Sequence, residues 1–258
     1  MGIAYGPTQN WIYNTPQGLQ YQVDNGLTYV RDGLVLYLDA GDSNSYPGTG
    51  NTWTDLSGNG NNGTLINGVG YNSANGGYLI FDGVNDYVTT TGMSNFSYTN
   101  GITVSVWHYN GGGTSLYRGV VNNGTNVDRS GGFDLRYGRE DYFGGADNGT
   151  KLNWIITNTG GTRTGVSIYA NVNEWHHYVG TYDNTTIRVY KDGQLFDSIT
   201  LSGGGQLKTT SDSTTIGRSP GTVEYLDGRL SQVQIYNRAL TPEEVQLNYN
   251  IFKGRYGL

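Results

Sequence analysis

The sequence contains no cysteine. Disulfides and thiolate metal sites are thereby excluded, and the redox compartment leaves no mark on the chain. Proline is scarce at 5 residues, and glutamate occurs only at Glu140, Glu174, Glu224, Glu243 and Glu244. No stretch approaches the roughly 20 apolar residues of a membrane-crossing helix. The opening MGIAYGPTQNWIYNTPQG lacks both the basic start and the apolar run of a secretion signal, so any outside location is expected to be reached by another route. A basic stripe is missing too. The formal net charge is −6, which would repel a phosphate backbone, and nucleic acid is not an expected partner.

Glycine, by contrast, supplies 42 residues and tyrosine 22. Ordinary glycine usage is about 7%, so the excess marks a chain built on turns. The glycines follow no triplet period and 35% of residues are apolar, which excludes collagen and argues against disorder. Short β-forming runs alternate with turn clusters from Arg31 onward: LVLYLDA (34–40), YLIFDG (78–83), ITVSVWHY (102–109), WHHYVGTY (175–182), TIRVYKDGQLF (186–196) and RLSQVQIYN (229–237). In the third run Ile102, Val104, Val106 and His108 share one face, while Thr103, Ser105, Trp107 and Tyr109 share the other. Asp192-Gly193 is the dipeptide of a type I′ hairpin. One helix is predicted over 242–252, with Thr241 as cap, Pro242 in the first turn, Glu244 completing a capping box, and Val245, Tyr249 and Phe252 at helical spacing. The pattern predicts an all-β, two-sheet antiparallel jelly-roll sandwich with a short C-terminal α-helix packed on it. Residues 1–30 are polar with no sustained period and read as an arm, either an attachment segment or an extended strand laid along the domain edge; 31–258 form the jelly roll.

The stretch WTDLSGNGNNGTL (53–65) invites two motif readings, and both fail. Asp55, Ser57, Asn59 and Gly60 occupy the first, third, fifth and sixth positions of an EF-hand loop, but the twelfth is Ile66 where a bidentate glutamate is required. Gly58, Gly60 and Gly63 spell G-x-G-x-x-G, yet TLINGVGYN follows instead of the helix whose N-terminus would face a pyrophosphate.

Taken in order, DGLVLYLDA (32–40), TWTDLSGNGNNGTL (52–65), FDGVNDYV (81–88), WHHYVGTYDNTTIRVYKDGQL (175–195) and IGRSPGTVEYLDGRLSQVQIYNRALTPEEV (216–245) resemble the laminin-G-like members of the concanavalin A-like lectin/glucanase superfamily. The version with DGLVLYLDA, SYPGTG and NYNIFKGRYGL is similar to domains of marine bacteriophage structural proteins. The resemblance implies a jelly roll with variable rim loops, and makes 53–65 a fixed turn near the sandwich edge. It also implies structural Ca²⁺ as the one cofactor worth naming, with Asp55 and Asn59 as candidate ligands and Asp39, Asp42 and Asp227 as contributors. One departure bears on this: related sequences commonly read I-D-E-V where this chain has Leu230-Ser231-Gln232-Val233, so two acidic side chains are absent.

Glycosidases of the superfamily need two carboxylates a few ångströms apart, and the E-x-D-x-x-E pattern is missing here. Glu140 and Asp141 are adjacent and would point to opposite faces of a strand. His176 and His177 are adjacent as well, with one expected packed and one at the surface. The chain is therefore expected not to be an enzyme; a glycoside hydrolase is the least favoured reading. Carbohydrate recognition needs exposed aromatics with amide and carboxylate groups. The turn-rich segment 134–154 offers Arg139, Asp141, Tyr142, Asn148 and Trp154 in that mixture, against the alternative that Tyr142 and Trp154 are core aromatics. The combined expectation is a non-catalytic structural or adhesion protein at a virion surface, a capsid decoration or fibre-associated component assembled in the host cytoplasm, which recognises surface glycans. Its partners would be other virion proteins reached through residues 1–30 or through an oligomer interface between copies. The alternative is a free lectin module.

Overall fold

The computed structural model describes residues 12–14, 20–24, 27–90, 96–113, 117–123, 132–138, 150–209, 213–219 and 224–258, with side chains from Tyr29 onward. Three strands, β1 (Ile12–Asn14), β2 (Gln20–Asp24) and β3 (Leu27–Val30), make a small antiparallel sheet of their own. The arm is thus more ordered locally than its irregular sequence suggests, because backbone pairing asks for no hydrophobic period. Next come β4 (Leu34–Asp39), β5 (Thr52–Trp53), β6 (Gly63–Ile66), β7 (Gly70–Asn72), β8 (Tyr78–Asp82), β9 (Tyr87–Thr90) and β10 (Ile102–Asn110). They are followed by β11 (Arg118–Asn123), β12 (Phe133–Tyr137), β13 (Lys151–Thr157), β14 (Arg163–Tyr169) and β15 (Trp175–Tyr182). The chain ends with β16 (Thr186–Lys191), β17 (Gln194–Thr200), β18 (Thr214–Ile216), β19 (Asp227–Tyr236) and α1 (Pro242–Phe252).

Two eight-stranded antiparallel sheets result. The first runs β17-β16-β15-β10-β19-β8-β7, with β4 also paired to β19, and the second runs β14-β13-β12-β11-β18-β9-β6-β5. Strand β19 pairs β8 through Asp227–Leu230 and β4 through Gln232–Tyr236, so the two lie end to end along one side of it. Alternating side chains of both sheets meet in one apolar core that includes Leu36, Leu38, Val104, Val106, Leu135, Trp154, Tyr178, Val233 and Ile235. The Trp154 indole fills the space opposite Gly180, where a Cβ would lie 2.3 Å from the ring, and its Nε1–H donates to the Thr181 carbonyl at 3.0 Å.

The outer face of the first sheet is buried as well. Trp107 stacks on Tyr256 at 4.1 Å between ring centroids and on His177 at 5.0 Å, and Tyr37, Val179, Tyr190, Tyr236, Val245 and Phe252 complete a second apolar cluster. Helix α1 seals this face. Thr241 and Glu244 form the capping box, and Arg238 holds the Glu244 carboxylate with two nitrogens at 2.7 and 2.6 Å. Asn248 accepts from the Val30 N–H and donates to the Tyr236 hydroxyl, which donates to the Val30 carbonyl, each at 3.0 Å. This three-cornered bond set joins the helix, β19 and β3, and with Tyr29 and Val30 both buried the packed body starts two residues before Arg31. Among the described residues no helix is long and apolar enough to cross a membrane.

The β15–β16 turn is fastened by Asp183. Its carboxylate accepts from the Thr185 and Thr186 N–H groups, from the Thr185 hydroxyl and from Arg188. Burial alone would raise the carboxyl, but these donors outweigh it and hold it down at about 2.

Two outcomes follow from this packing. Gly180→Ala should lose about 1–3 kcal/mol in chemical denaturation, because the added methyl meets the indole of a filled core. Asp183→Asn should be less stable than the parent at neutral pH. Since the folded carboxyl is depressed, the gap should close as pH falls from the ordinary 3.8 toward about 2 in acid titrations followed by circular dichroism.

Candidate functional site

With one outer face sealed by the helix, polar chemistry gathers on the outer face of the second sheet. Strand alternation puts it there. On β12 Phe133, Leu135 and Tyr137 point into the core, which leaves Asp134 and Arg136 on the other side. By register Asn122 and Thr215 stand across from Asp134, and Asn153 and Ser167 continue the row from Arg136. The row is internally bonded: Thr215 Oγ1 donates to Asn122 at 2.7 Å, and Ser167 Oγ donates to Asn153 at 2.6 Å. Asp134 meets Arg136 at 3.1 Å and Arg163 at 3.3 Å, while Glu224 lies 3.9 Å from the same Arg136.

At the end of this face, where the edge strands β14 and β17 of the two sheets come together, Lys151, Ser167, Ile168, Tyr169 and Asp197 line a pocket of about 170 Å³. Tyr169 is 58% exposed, a large figure for a tyrosine on a strand of a sandwich. The Lys151 Nζ lies 5.7 Å from its ring centroid. Asp197 accepts the Ser198 N–H at 2.8 Å through Oδ1, and its Oδ2 has no hydrogen-bond partner among the described residues. An open aromatic face, a carboxylate acceptor and an ammonium donor around a shallow hollow suit a polyhydroxyl ligand.

Trp154, expected at a carbohydrate site, is fully buried, and its assignment there is corrected. It sits on the core parity of β13, and its only polar atom is bonded to Thr181, so no sugar reaches it. Arg139, Asp141, Tyr142 and Asn148 lie outside the described residues. The segment 134–154 nonetheless supplies Asp134, Arg136, Lys151 and Asn153 to this face. Tyr169 and Asp197 escaped the sequence reading. A signal existed in RTGVSIY, where Val166 and Ile168 take the apolar parity and leave Tyr169 on the polar one.

The histidines depart from expectation in a smaller way. His177 is packed under Trp107 and α1, and burial pushes its pKa down to about 3. His176, which was expected at the surface if His177 was packed, is also largely buried, with Nδ1 2.7 Å from Asp192 and Nε2 3.1 Å from Glu174. The two carboxylates clasp it from either side. Burial would raise the Asp192 carboxyl, but bonds from His176 and the His177 N–H hold it below its ordinary value.

The turn at 55–61 is held by its own hydrogen bonds. Asp55 Oδ1 accepts from the Tyr37 and Ser57 N–H groups, both at 2.9 Å, and Oδ2 accepts from the Ser57 hydroxyl at 2.7 Å and the Asn61 N–H at 2.9 Å. Asn59 turns its amide nitrogen to the Leu34 carbonyl at 3.1 Å. Gly58 and Gly60 take φ of 89° and 74°, the left-handed region the turn requires. A carboxylate with four donors aimed at its lone pairs does not fit a cation, so Asp55 and Asn59 do not suit Ca²⁺ in this arrangement. Asp39 is similarly occupied by Tyr37, Gly41, Gln232 and Arg255, and Asp42 by Asn44; Asp227 lies beneath Gly111 and Gly113. The missing acidic pair has a local explanation. The Gln232 amide donates to Asp39 at 2.6 Å, where a second carboxylate would repel it, and Ser231 donates to the Gly77 carbonyl at 2.6 Å. Among the described residues no group of three or more His, Cys, Asp or Glu is placed to hold a metal.

A family model of the concanavalin A-like lectin/glucanases superfamily matches residues 82–246, more than half of the chain. The chain belongs to that superfamily. No curated protein sequence matches it. Among solved structures it is similar to the receptor binding domain of botulinum neurotoxin type G, with TM-score 0.63, 14% identity, and 85% of this chain aligned to 51% of that one. The binding domain of Paraclostridial Mosquitocidal Protein 1 gives TM-score 0.65 at 20% identity, over 85% of this chain and 52% of that one. The binding domain of botulinum neurotoxin DC, solved with rat synaptotagmin II, gives 0.66 at 12% identity, over 86% and 52%. The chain spans about half the length of these structures, and at such identities the likeness is one of fold.

Asp55→Ala should lower stability by about 1–3 kcal/mol in urea titration, because it strands buried N–H donors. Excess chelator should leave the parent's Tm unchanged, and a fall in Tm would restore the metal reading.

Proposed function

We propose that this protein is a non-catalytic binding module that recognises a glycan at the Tyr169 pocket, and that it serves as a surface component of a phage particle, a capsid decoration or fibre-associated protein. The observation that carries the glycan reading is the exposed Tyr169 ring, bordered by Asp197 and Lys151 where the two sheet edges meet. A pyranose ring would lie on the tyrosine face, with its hydroxyls donating to the Asp197 carboxylate and accepting from Lys151. The fold neighbours support a binding role: they are receptor-binding domains, one solved with rat synaptotagmin II and another with SialylT.

Hydrolysis finds less support. A glycosidase needs one carboxyl that carries a proton and a second that attacks or activates water. The carboxylates brought to the outer face of the second sheet, Asp134 and Glu224, both converge on Arg136. Arginine is always charged, and its place between them favours anchoring over proton transfer.

The virion reading rests on the motifs similar to marine phage structural proteins, DGLVLYLDA, SYPGTG and NYNIFKGRYGL. Attachment to other virion proteins would fall to residues 1–30, which contain the small β1–β3 sheet. A free lectin module is the alternative.

On a glycan array the intact chain should bind, and Tyr169→Ala should lose tenfold or more of the signal at unchanged Tm, the loss expected when a stacking ring worth about 1–3 kcal/mol is removed. A flat array for the parent refutes glycan recognition. Absence of the chain from purified particles refutes the virion role, and fixed copy number there supports it.

A further inference from the structure

Four strands of the first sheet each place one residue in a row on its outer face. Ile80 of β8 stands opposite Arg229 of β19, Arg229 opposite Tyr109 of β10, and Tyr109 opposite Trp175 of β15. Tyr78 lies two residues from Ile80 on the same face. Tyr256 covers Trp107 and reaches Trp175 at 5.1 Å, while Arg229 and Tyr109 are half-buried.

The Arg229 guanidinium carbon sits 4.2 Å from the Tyr109 ring centroid and 5.2 Å from that of Tyr78. Trp175 tilts against both tyrosines, at 5.7 and 5.4 Å, so the rings that brace the arginine are themselves braced. The Tyr109 hydroxyl bonds to Asn173 Oδ1 at 3.4 Å, which leaves the exposed Asn173 amide N–H₂ as a second donor beside the row. Arg188, Arg238 and Arg255 each meet a carboxylate in this acidic chain. Arg229 does not: among the described residues its side chain has the two tyrosine rings and neither an ion pair nor a hydrogen bond. It is therefore a half-buried cation lodged against two rings, with its fork of donors unused among the described residues.

An arginine that merely shields an aromatic surface would snorkel toward any nearby acid. Here contact with two tyrosine rings restricts the guanidinium before a ligand arrives, which lowers the ordering cost of bidentate binding. We propose that Arg229, flanked by Tyr78, Tyr109 and Asn173, is an oxyanion site that recognises the sulfate or carboxylate group of an acidic glycan. The ligand's class rests on the glycan reading above; the location does not, because these residues lie on the other sheet from Tyr169.

The test is isothermal titration of the intact chain with three probes: a sulfated oligosaccharide, a uronate oligosaccharide and their neutral parent. The chain should prefer an acidic probe, with a preference that shrinks as salt rises. Arg229→Gln should lose about tenfold or more for that probe at unchanged Tm, with the neutral parent unaffected. Arg229→Lys should recover only part of the affinity, because it restores charge without the planar fork. Which acidic probe responds identifies sulfate or carboxylate. Equal affinity for acidic and neutral probes overturns the inference, and so does a preference that survives Arg229→Gln. An equal loss for all probes together with a lower Tm also overturns it, by making the role structural. Tyr169→Ala run in parallel separates the two readings: loss of neutral binding there, with the acidic preference indifferent to Arg229, leaves the first standing and sinks the second.

Discussion

Burial of both faces of the first sheet is the constraint on which the rest depends. Strand β10 shows it within nine residues, with Val104 and Val106 in the inter-sheet core and Trp107 in the outer cluster under α1. A sandwich with ordinary amphipathic strands needs no such lid. Here the aromatic outer face, with Trp107 stacked on Tyr256 and His177, would stand in water without one. The capping box, the Arg238–Glu244 pair and the Asn248–Tyr236–Val30 bond set all hold the cover in place. Once that face is closed, the exposed Tyr169 remains at the edge of the second sheet and a half-buried strip remains beside Arg229, while Asn122, Asp134, Arg136 and Asn153 are themselves buried.

Four aspartates among the described residues act as fasteners. Asp55 ties the 55–61 turn to β4, Asp183 closes the β15–β16 turn, Asp192 joins the β16–β17 turn to β15, and Asp39 gathers Gln232 and Arg255. With glycine at so many bends, backbone entropy opposes every turn, and a carboxylate accepting two or three N–H groups offsets it locally. The same bonding withdraws those oxygens from metal chemistry. The loop that looked most like a cation site in sequence is thus explained as a stitch.

A family resemblance in sequence and a fold likeness to toxin binding domains meet at the architecture, not at a ligand. The rim and outer faces differ from one sandwich to another because their residues are not needed by the core. Both proposed ligand sites lie there, one at Tyr169 and Asp197 on an edge and the other at Arg229 among its tyrosines on the other sheet.

The amino-acid order by itself determined the strands with strict alternation, the Asp192-Gly193 hairpin and the helix over 242–252 down to its cap, since each depends on neighbours a few residues away. It also carried the apolar parity that sends Trp154 inward, although an aromatic in a polar stretch obscured it. Only the tertiary structure decided which faces stay open. Tyr169 meets Asp197 because two sheets bring their edge strands together, and Arg229 meets Tyr78 and Tyr109 because β19 runs between β8 and β10. Such contacts depend on strand order and register across long separations in the chain, a physical property that local periodicity does not encode.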